Sequence, residues 1–240
     1  MVRGLSTAGM GLPDHQLALH QHASYVGALA ACGLEVLVLE ADEQYPDSTF
    51  VEDVALLTKP CAIITNPGAP SRKGETTEIK KVLGDYFGTI ETVREPGTVE
   101  GGDIMMVGDH FYIGLSDRTN QEGARQVIAH LEKHGLSGST IAIEKILHLK
   151  TGIAFLEDNT MAATSVYLGI EEFQKFKILR IDADESYAAN CIWVNGKVIV
   201  AQGYSKAARK IAEAGYPIIE VDVSEFRKLD GGLSCLSLRF

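Results

Sequence analysis

The sequence is poor in the features that hold chains together by special means. Its 240 residues include four cysteines, seven prolines and one tryptophan. Cys32, Cys61, Cys191 and Cys235 are scattered, with no C-x-x-C pair and no zinc spacing. That excludes a disulfide scaffold and points to a reduced, cytoplasmic chain. No stretch approaches the roughly 18 consecutive apolar residues of a spanning helix, and the opening residues, MVRGLSTAGMGLP, show no apolar signal-peptide segment. Positive charge is also scarce. Lys and Arg total 22 against 32 Asp and Glu, a formal charge of -10, which argues against nucleic acid or an anionic membrane as partner and mildly favours a cationic ligand. No G-x-x-x-x-G-K-[ST] or G-x-G-x-x-G motif supports nucleotide binding. What the chain does have, at 45% hydrophobic and 22% charged, is enough apolar material for one well-buried domain spanning 1–240.

Four places show two β-rich runs joined by a tight turn: VALL-TK-PCAIIT, DIMMV-GD-HFYIG, GIAFLE-DN-TMAAT and CIWV-NG-KVIVA. Asn195-Gly196 in the last is the strongest hairpin signal, because a type I′ turn needs positive φ at both central residues. After the first hairpin, Ile79, Val82, Leu83 and Tyr86 form a helical stripe before TIETV. After the second, Ala124, Val127, Ile128 and Leu131 do so before STIAIE, with Gly135 as the stop. The fourth hairpin leads into a helix over 205–214 and, through Gly215, into PIIEVD. The third unit is shorter, with helix signal only around IEEFQKF. The module is strand, strand, helix, strand.

The chain ends supply a helix (Leu19, Ala23, Val26 and Ala30, stopped by Gly33), a strand EVLVLE and a strand LSCLSLRF. Joined end to start, these make most of a fifth module. The expected fold is α/β, a five-fold pseudo-symmetric propeller of ββαβ units. Its fifth unit is closed by the N- and C-terminal segments and lacks one N-terminal strand. The alternative is an ordinary α/β protein rich in hairpins; the strict order of elements speaks against a Rossmann fold.

Cys235 follows the glycines of DGGLSC, which permit unusual backbone angles or close approach of a ligand; the other three cysteines read as small core residues. His148 lies in KILHLKTG, where strand alternation puts it on the side of Ile146 and Lys150. It gains interest as proton partner for a nucleophile. FVEDVALL (Glu52, Asp53) and TVEGGDIMM (Glu100, Asp103) place carboxylates at the start of successive modules, with Asp47 just upstream. Such acids are costly to bury unless paired. They read either as a receptor for a planar N–H cation such as guanidinium or as solvated strand ends. His15, His20 and His22 lack metal-pair spacing. His130 and His134 have i, i+4 spacing without the HExxH glutamate, and His134 is accounted for by the helix macrodipole. No metal site is expected.

The segments PDSTFVED, RKGETTEI, PGTVEGGDIMMVGDHFYIGLSDRTN, ILHLKTG, SYAANCIWVNGKVI and DGGLSCLSLRF together resemble the dimethylarginine dimethylaminohydrolases, which belong to the guanidino-group-modifying enzymes of pentein fold. The resemblance runs through nearly the whole chain and agrees with the module count. It implies Cys235 as nucleophile, His148 as general acid/base and Glu100 as the residue orienting that histidine. It further implies Glu52 and Asp53 at the guanidinium, Asp47 at the substrate amino group and Arg72 and Arg118 at its carboxylate. Leu5 and the backbone at Leu229 would line the pocket. The implied reaction is hydrolysis of methylated arginine to citrulline and a methylamine through a thiouronium intermediate, with neither metal nor organic cofactor. The same machinery would serve arginine deimination or another guanidino substrate, and a relative that binds without turnover is the non-enzymatic alternative. The resemblance also suggests a homodimer. Relatives open with an additional strand before the loop carrying Leu5, so a truncated or misassigned start is expected.

Overall fold

The computed structural model describes residues 1–143 and 146–240 of the chain. Glu144 and Lys145, at the end of STIAIE and the start of KILHLKTG, lie outside the described residues. Among the described residues the strands form four three-stranded sheets, each made of consecutive strands. In the first, β1 (Ala55–Leu57) and β2 (Ala62–Ile64) pair antiparallel, α2 (Thr76–Leu83) crosses over, and β3 (Ile90–Thr92) returns parallel to β2. The second repeats the plan with β4 (Ile104–Val107), β5 (His110–Leu115), α3 (Gln121–Lys133) and β6 (Ser137–Ala142). In the third, β7 (Ile153–Phe155) and β8 (Thr160–Ala163) join β9 (Lys177–Arg180) through short 3₁₀ turns, Ser165–Tyr167 and Glu171–Phe173. The fourth contains β10 (Ile192–Val194), β11 (Lys197–Ala201), α4 (Ser205–Glu213) and β12 (Ile218–Val221).

The repeat follows from local signals. Asn195 and Gly196 sit at φ 47° and 82°, the pair of left-handed residues that a type I′ turn requires. Asn120 caps α3 by accepting the Gly123 N–H at 2.8 Å, and Gly135 leaves it at φ 76°, so both ends are fixed by the residues expected to fix them. On that helix Ala124, Val127 and Leu131 are buried against Ile63, Val93, Ile104, Phe111 and Ile113. The crossover helix thus covers strands of both the first and the second sheet.

The chain divides into two compact units. One comprises Glu43–Lys150 with Cys235–Phe240 and holds the first two sheets; the other comprises Met1–Asp42 with Thr151–Ser234 and holds the last two. In the second unit, Leu156, Val198, Val200 and Ile211 form the centre of the core. Among the described residues no helix is long and apolar enough to cross a membrane.

Several expectations need correction. EVLVLE is no strand: no residue from Leu34 to Glu40 is in a ladder, and Leu37 and Val38 are more than half exposed. LSCLSLRF is likewise not a strand but a 3₁₀ turn, Ser234–Leu236, and an irregular tail. A strand exists only with a hydrogen-bonded neighbour, and neither segment finds one among the described residues. The tail is held by side chains instead. Leu238 packs on the cluster of Val54, Ala55, Ile79 and Leu83, and the Phe240 ring lies 4.9 Å from that of Phe87. The fifth module therefore lacks the two strands expected of it.

Helix α1 (His15–Ala31) turns a different face inward from the stripe Leu19, Ala23, Val26, Ala30. Its buried residues are Ala18, Gln21, Tyr25, Ala28 and Leu29. Polar anchoring sets that face. Tyr25 donates its hydroxyl to the Leu233 carbonyl at 2.8 Å, and Gln21 donates to Ser224 while accepting from the Glu225 N–H. Finally, His148 is not on a strand but in an irregular segment before the 3₁₀ turn Leu149–Thr151.

Candidate active site

The acid-rich starts of the first two modules turn inward. Glu52 and Asp53 lie in a 3₁₀ turn, Val51–Val54, leading into β1, and Glu100 precedes the turn Gly101–Asp103 leading into β4. All four carboxylates are buried. Gly101 and Gly102 make this possible. A Cβ on Gly101 would lie 2.0 Å from the Glu52 carbonyl oxygen. One on Gly102 would lie 2.9 Å from Asp53 Oδ1 and from Nδ1 of His148. Only glycine lets the two acid turns and the imidazole approach so closely.

His148 Nε2 is 2.8 Å from Glu100 Oε2, and Asp53, Glu100 and His148 each offer an atom within 4.8 Å of the others. Asp103 braces the same histidine from the main chain. Its Oδ1 accepts the Leu149 N–H at 2.9 Å, while its Oδ2 accepts the hydroxyls of Ser116 and Thr119. Burial pulls the His148 pKa down, but Asp53, the hydrogen bond to Glu100, and Asp103 outweigh it and lift the value to about 9. The ring is therefore an imidazolium at neutral pH, with Nε2 held by Glu100 and Nδ1 in no hydrogen bond among the described residues.

Asp53 is fixed between two cations and a main-chain donor. Its Oδ1 accepts the Gly102 N–H at 2.9 Å, and its Oδ2 pairs with Arg72. Burial works to raise its pKa, yet His148 and Arg72 hold it below the usual carboxylate range. Arg72 is itself 4% exposed. Its Nε and terminal nitrogens also bond Glu75 and the carbonyls of Asp47 and Phe50. Burial raises Glu75 to about 7, against the pull of Arg72. To meet a ligand carboxylate, Arg72 would first have to leave Asp53 and Glu75. Arg118 is placed differently: it is about a quarter exposed, with its guanidinium 3.6 Å from Glu100 Oε1.

Glu52 accepts a hydrogen bond from Lys150 Nζ at 2.6 Å, with Arg239 a further 3.9 Å neighbour. This contact ties the tail to the site, because Arg239 lies four residues after Cys235 in the same compact unit. Of the four free cysteines, Cys235 is the one that is not fully buried. The contrast with Cys191 is chemical as well, since burial pushes that thiol up to about 12 and makes it inert as a nucleophile. Asp47 is buried close by and presents its carbonyl to Arg72.

Leu5 and Leu229 belong to the other compact unit. There the early loop is bound to the loop of Leu229. Ser6 Oγ donates to the Lys228 carbonyl at 2.6 Å, and the Thr7 N–H donates to Asp230. Leu5 is exposed and Leu229 buried.

Sequence reasoning grouped Asp103 with the candidate cation-binding acids but not as a brace for His148, and it gave no role to Glu75 or Lys150, which pair with Arg72 and Glu52. The run TVEGGD carried the signal for Asp103. Nothing in the local pattern marks Lys150 or Glu75, whose partners are set by tertiary packing. A cavity of about 370 Å³ is lined by Ser116 and Thr119, the two hydroxyls on Asp103, together with Leu115, Asn120, Ile143 and Ile146. None of Cys235, His148 or Glu100 lines it.

In chemical terms the cluster is a buried group of carboxylates around one protonated imidazole, each acid already paired with a cation of the chain. Asp53, Glu100 and His148 are also close enough to share a metal ion, but Arg72 and the imidazolium already neutralise that charge.

Comparison with known proteins gives a consistent result. The family model for eukaryotic N,N dimethylarginine dimethylhydrolase matches residues 13–168. The N(G),N(G)-dimethylarginine dimethylaminohydrolase of Pseudomonas aeruginosa is 56% identical over 100% of this chain and 95% of its own length. A solved structure of the Pseudomonas aeruginosa protein, a cysteine-to-serine mutant complexed with citrulline, superposes with a TM-score of 0.98 at 56% identity over 100% of this chain and 94% of that one. A histidine-to-glycine variant, as its adduct with S-methyl-L-thiocitrulline, also gives 0.98 at 56% identity, over the same shares of the two chains.

Proposed function

Because this chain belongs to the dimethylarginine dimethylaminohydrolase family, we propose that it hydrolyses N-omega-methylated arginines to citrulline and a methylamine. Cys235 attacks the guanidinium carbon as a thiolate. The substrate's own positive charge lowers the thiol's proton affinity where the two meet. The resulting tetrahedral adduct expels the methylamine, which takes a proton from Nδ1 of His148. A planar thiouronium remains on Cys235. The now neutral imidazole draws a proton from water, the hydroxide adds to the same carbon, and collapse expels the thiolate and leaves citrulline as the adduct's hydroxyl proton passes through solvent to the departed amine.

The observation that carries this reading is the pairing of His148 Nε2 with Glu100 at 2.8 Å, under a raised pKa of about 9. It leaves the opposite ring nitrogen charged and available as an acid for the first step. Asp53 and Glu100 face the guanidinium, and Asp47 receives the substrate amino group. Arg118, the less buried arginine, meets the carboxylate, while Arg72 holds Asp53 in place. Glu52 joins the cation site by exchanging Lys150 for substrate. We read the chain as a single cytoplasmic catalytic domain built from repeated ββαβ modules of the propeller kind. Citrulline release measured on dimethylarginine, monomethylarginine and arginine tests the function. Higher kcat/KM on the methylated substrates is expected, and equal or greater rates on arginine would reject it.

A further inference from the structure

The roles given to Arg118, Glu100 and His148 require the three to be held in one frame, and a buried hydrogen-bond network on Asp103 supplies it. Arg118 sits in the segment 116–120 between β5 and α3. Ser116 and Thr119 flank it, and both hydroxyls donate to Oδ2 of Asp103, at 2.7 and 2.6 Å. Oδ1 of the same carboxylate accepts the N–H of Leu149, the residue after His148. Asp103 and Thr119 are 0% and 1% exposed, so these bonds are strong and an unmade one would be costly.

The donor count fixes the direction of every bond. Three donors on two oxygens is the pattern of an ionised carboxylate, which only accepts. A hydroxyl has one proton, here directed at Asp103, so each hydroxyl oxygen can only accept from its other neighbours. Ser116 Oγ accepts the main-chain N–H groups of Arg118 and Thr119, at 3.0 and 3.2 Å. Thr119 Oγ1 accepts the Glu100 N–H at 3.2 Å. Asp103 therefore reaches Arg118 through Ser116, Glu100 through Thr119, and the His148 segment directly. Each route ends on a main-chain N–H, which leaves the side chains of Arg118, Glu100 and His148 to the ligand and to one another.

Resting on the function proposed above, we propose that Ser116 and Thr119 are positioning residues with separate duties. Ser116 sets Arg118 for the substrate carboxylate. Thr119 sets Glu100, and through it the imidazolium that protonates the leaving amine. Asp103 joins the two to the His148 segment, so the network fixes the spacing between the carboxylate site and the general acid.

A network that only stabilised the fold would affect binding and turnover alike, whereas two duties predict a split. Ser116→Ala leaves Asp103 its donors Thr119 and Leu149. It should raise KM for dimethylarginine about fivefold, the net worth of one hydrogen bond, with kcat little changed. Thr119→Val keeps the shape and removes the hydroxyl. It should lower kcat at least about tenfold with KM little changed, and Thr119→Ser should restore kcat. Circular dichroism melts verify the folding of each variant, and Thr119→Ala, with the same expectation, replaces a Thr119→Val that does not fold. A parent that releases no citrulline would reject the functional reading and the proposal with it. With an active parent, unchanged KM in Ser116→Ala, unchanged kcat in Thr119→Val, or no recovery in Thr119→Ser would each overturn the proposal alone.

Discussion

Replacing Glu100 by glutamine should move the titration of His148 toward acid pH. The amide keeps an oxygen that can accept from Nε2, so the loss is mainly one of charge. The His148 pKa stands at about 9 against an ordinary 6.5, a separation worth ~3 kcal/mol between the two protonation states. Burial opposes that lift, and Asp53, Glu100 and Asp103 share it, so removing one carboxylate should cost on the order of one pH unit. Nuclear magnetic resonance of histidine labelled at Cε1 would follow the ring directly, and the alkaline limb of the kcat/KM profile should move with it. The same group couples to stability. A histidine whose pKa rises on folding adds stability that is complete below its unfolded pKa, near 6.5, and is lost as pH rises through about 9. Urea unfolding of the parent should therefore lose ~3 kcal/mol more than His148→Gln across that window. A Glu100→Gln titration that stays near 9, or a pH dependence of stability identical in the parent and His148→Gln, would refute the electrostatic account.

Other substitutions follow from the same geometry. Arg72→Ala leaves Asp53 and Glu75 buried without their cation, and should destabilise by ~3–5 kcal/mol in urea titrations; a stable variant with only a raised KM would instead return Arg72 to substrate binding. Gly102→Ala drives a methyl against Asp53 and His148. It should cost ~1–3 kcal/mol and lower kcat more than it raises KM, as steady-state kinetics would show. Cys235→Ser should abolish citrulline release while calorimetry still detects substrate binding.

The hairpins were legible in sequence because their determinants are local. Asn195-Gly196 dictates its turn whatever surrounds it, and Asn120 and Gly135 bound α3 in the same way. What depended on distant partners was not legible. The inward face of α1 is chosen by Tyr25 and Gln21, whose partners lie some 200 residues onward, against the apolar stripe that periodicity alone suggested. EVLVLE and LSCLSLRF have strand composition but no ladder neighbour among the described residues. At the site, the recurring acids suggested a cation receptor. The neighbours of His148 and the burial of Arg72 required the fold. The acid turns could be read as a site in outline; their cations, Arg72 and Lys150, come from short 3₁₀ turns that no periodic pattern marks.

Covalent capture is the most direct test that one sulfur does the chemistry. His148→Gly should be incubated with S-methyl-L-thiocitrulline, weighed intact and digested for peptide mapping. The account predicts a single adduct, on the peptide containing Cys235. An unmodified protein, or modification at Cys32, Cys61 or Cys191, would contradict it.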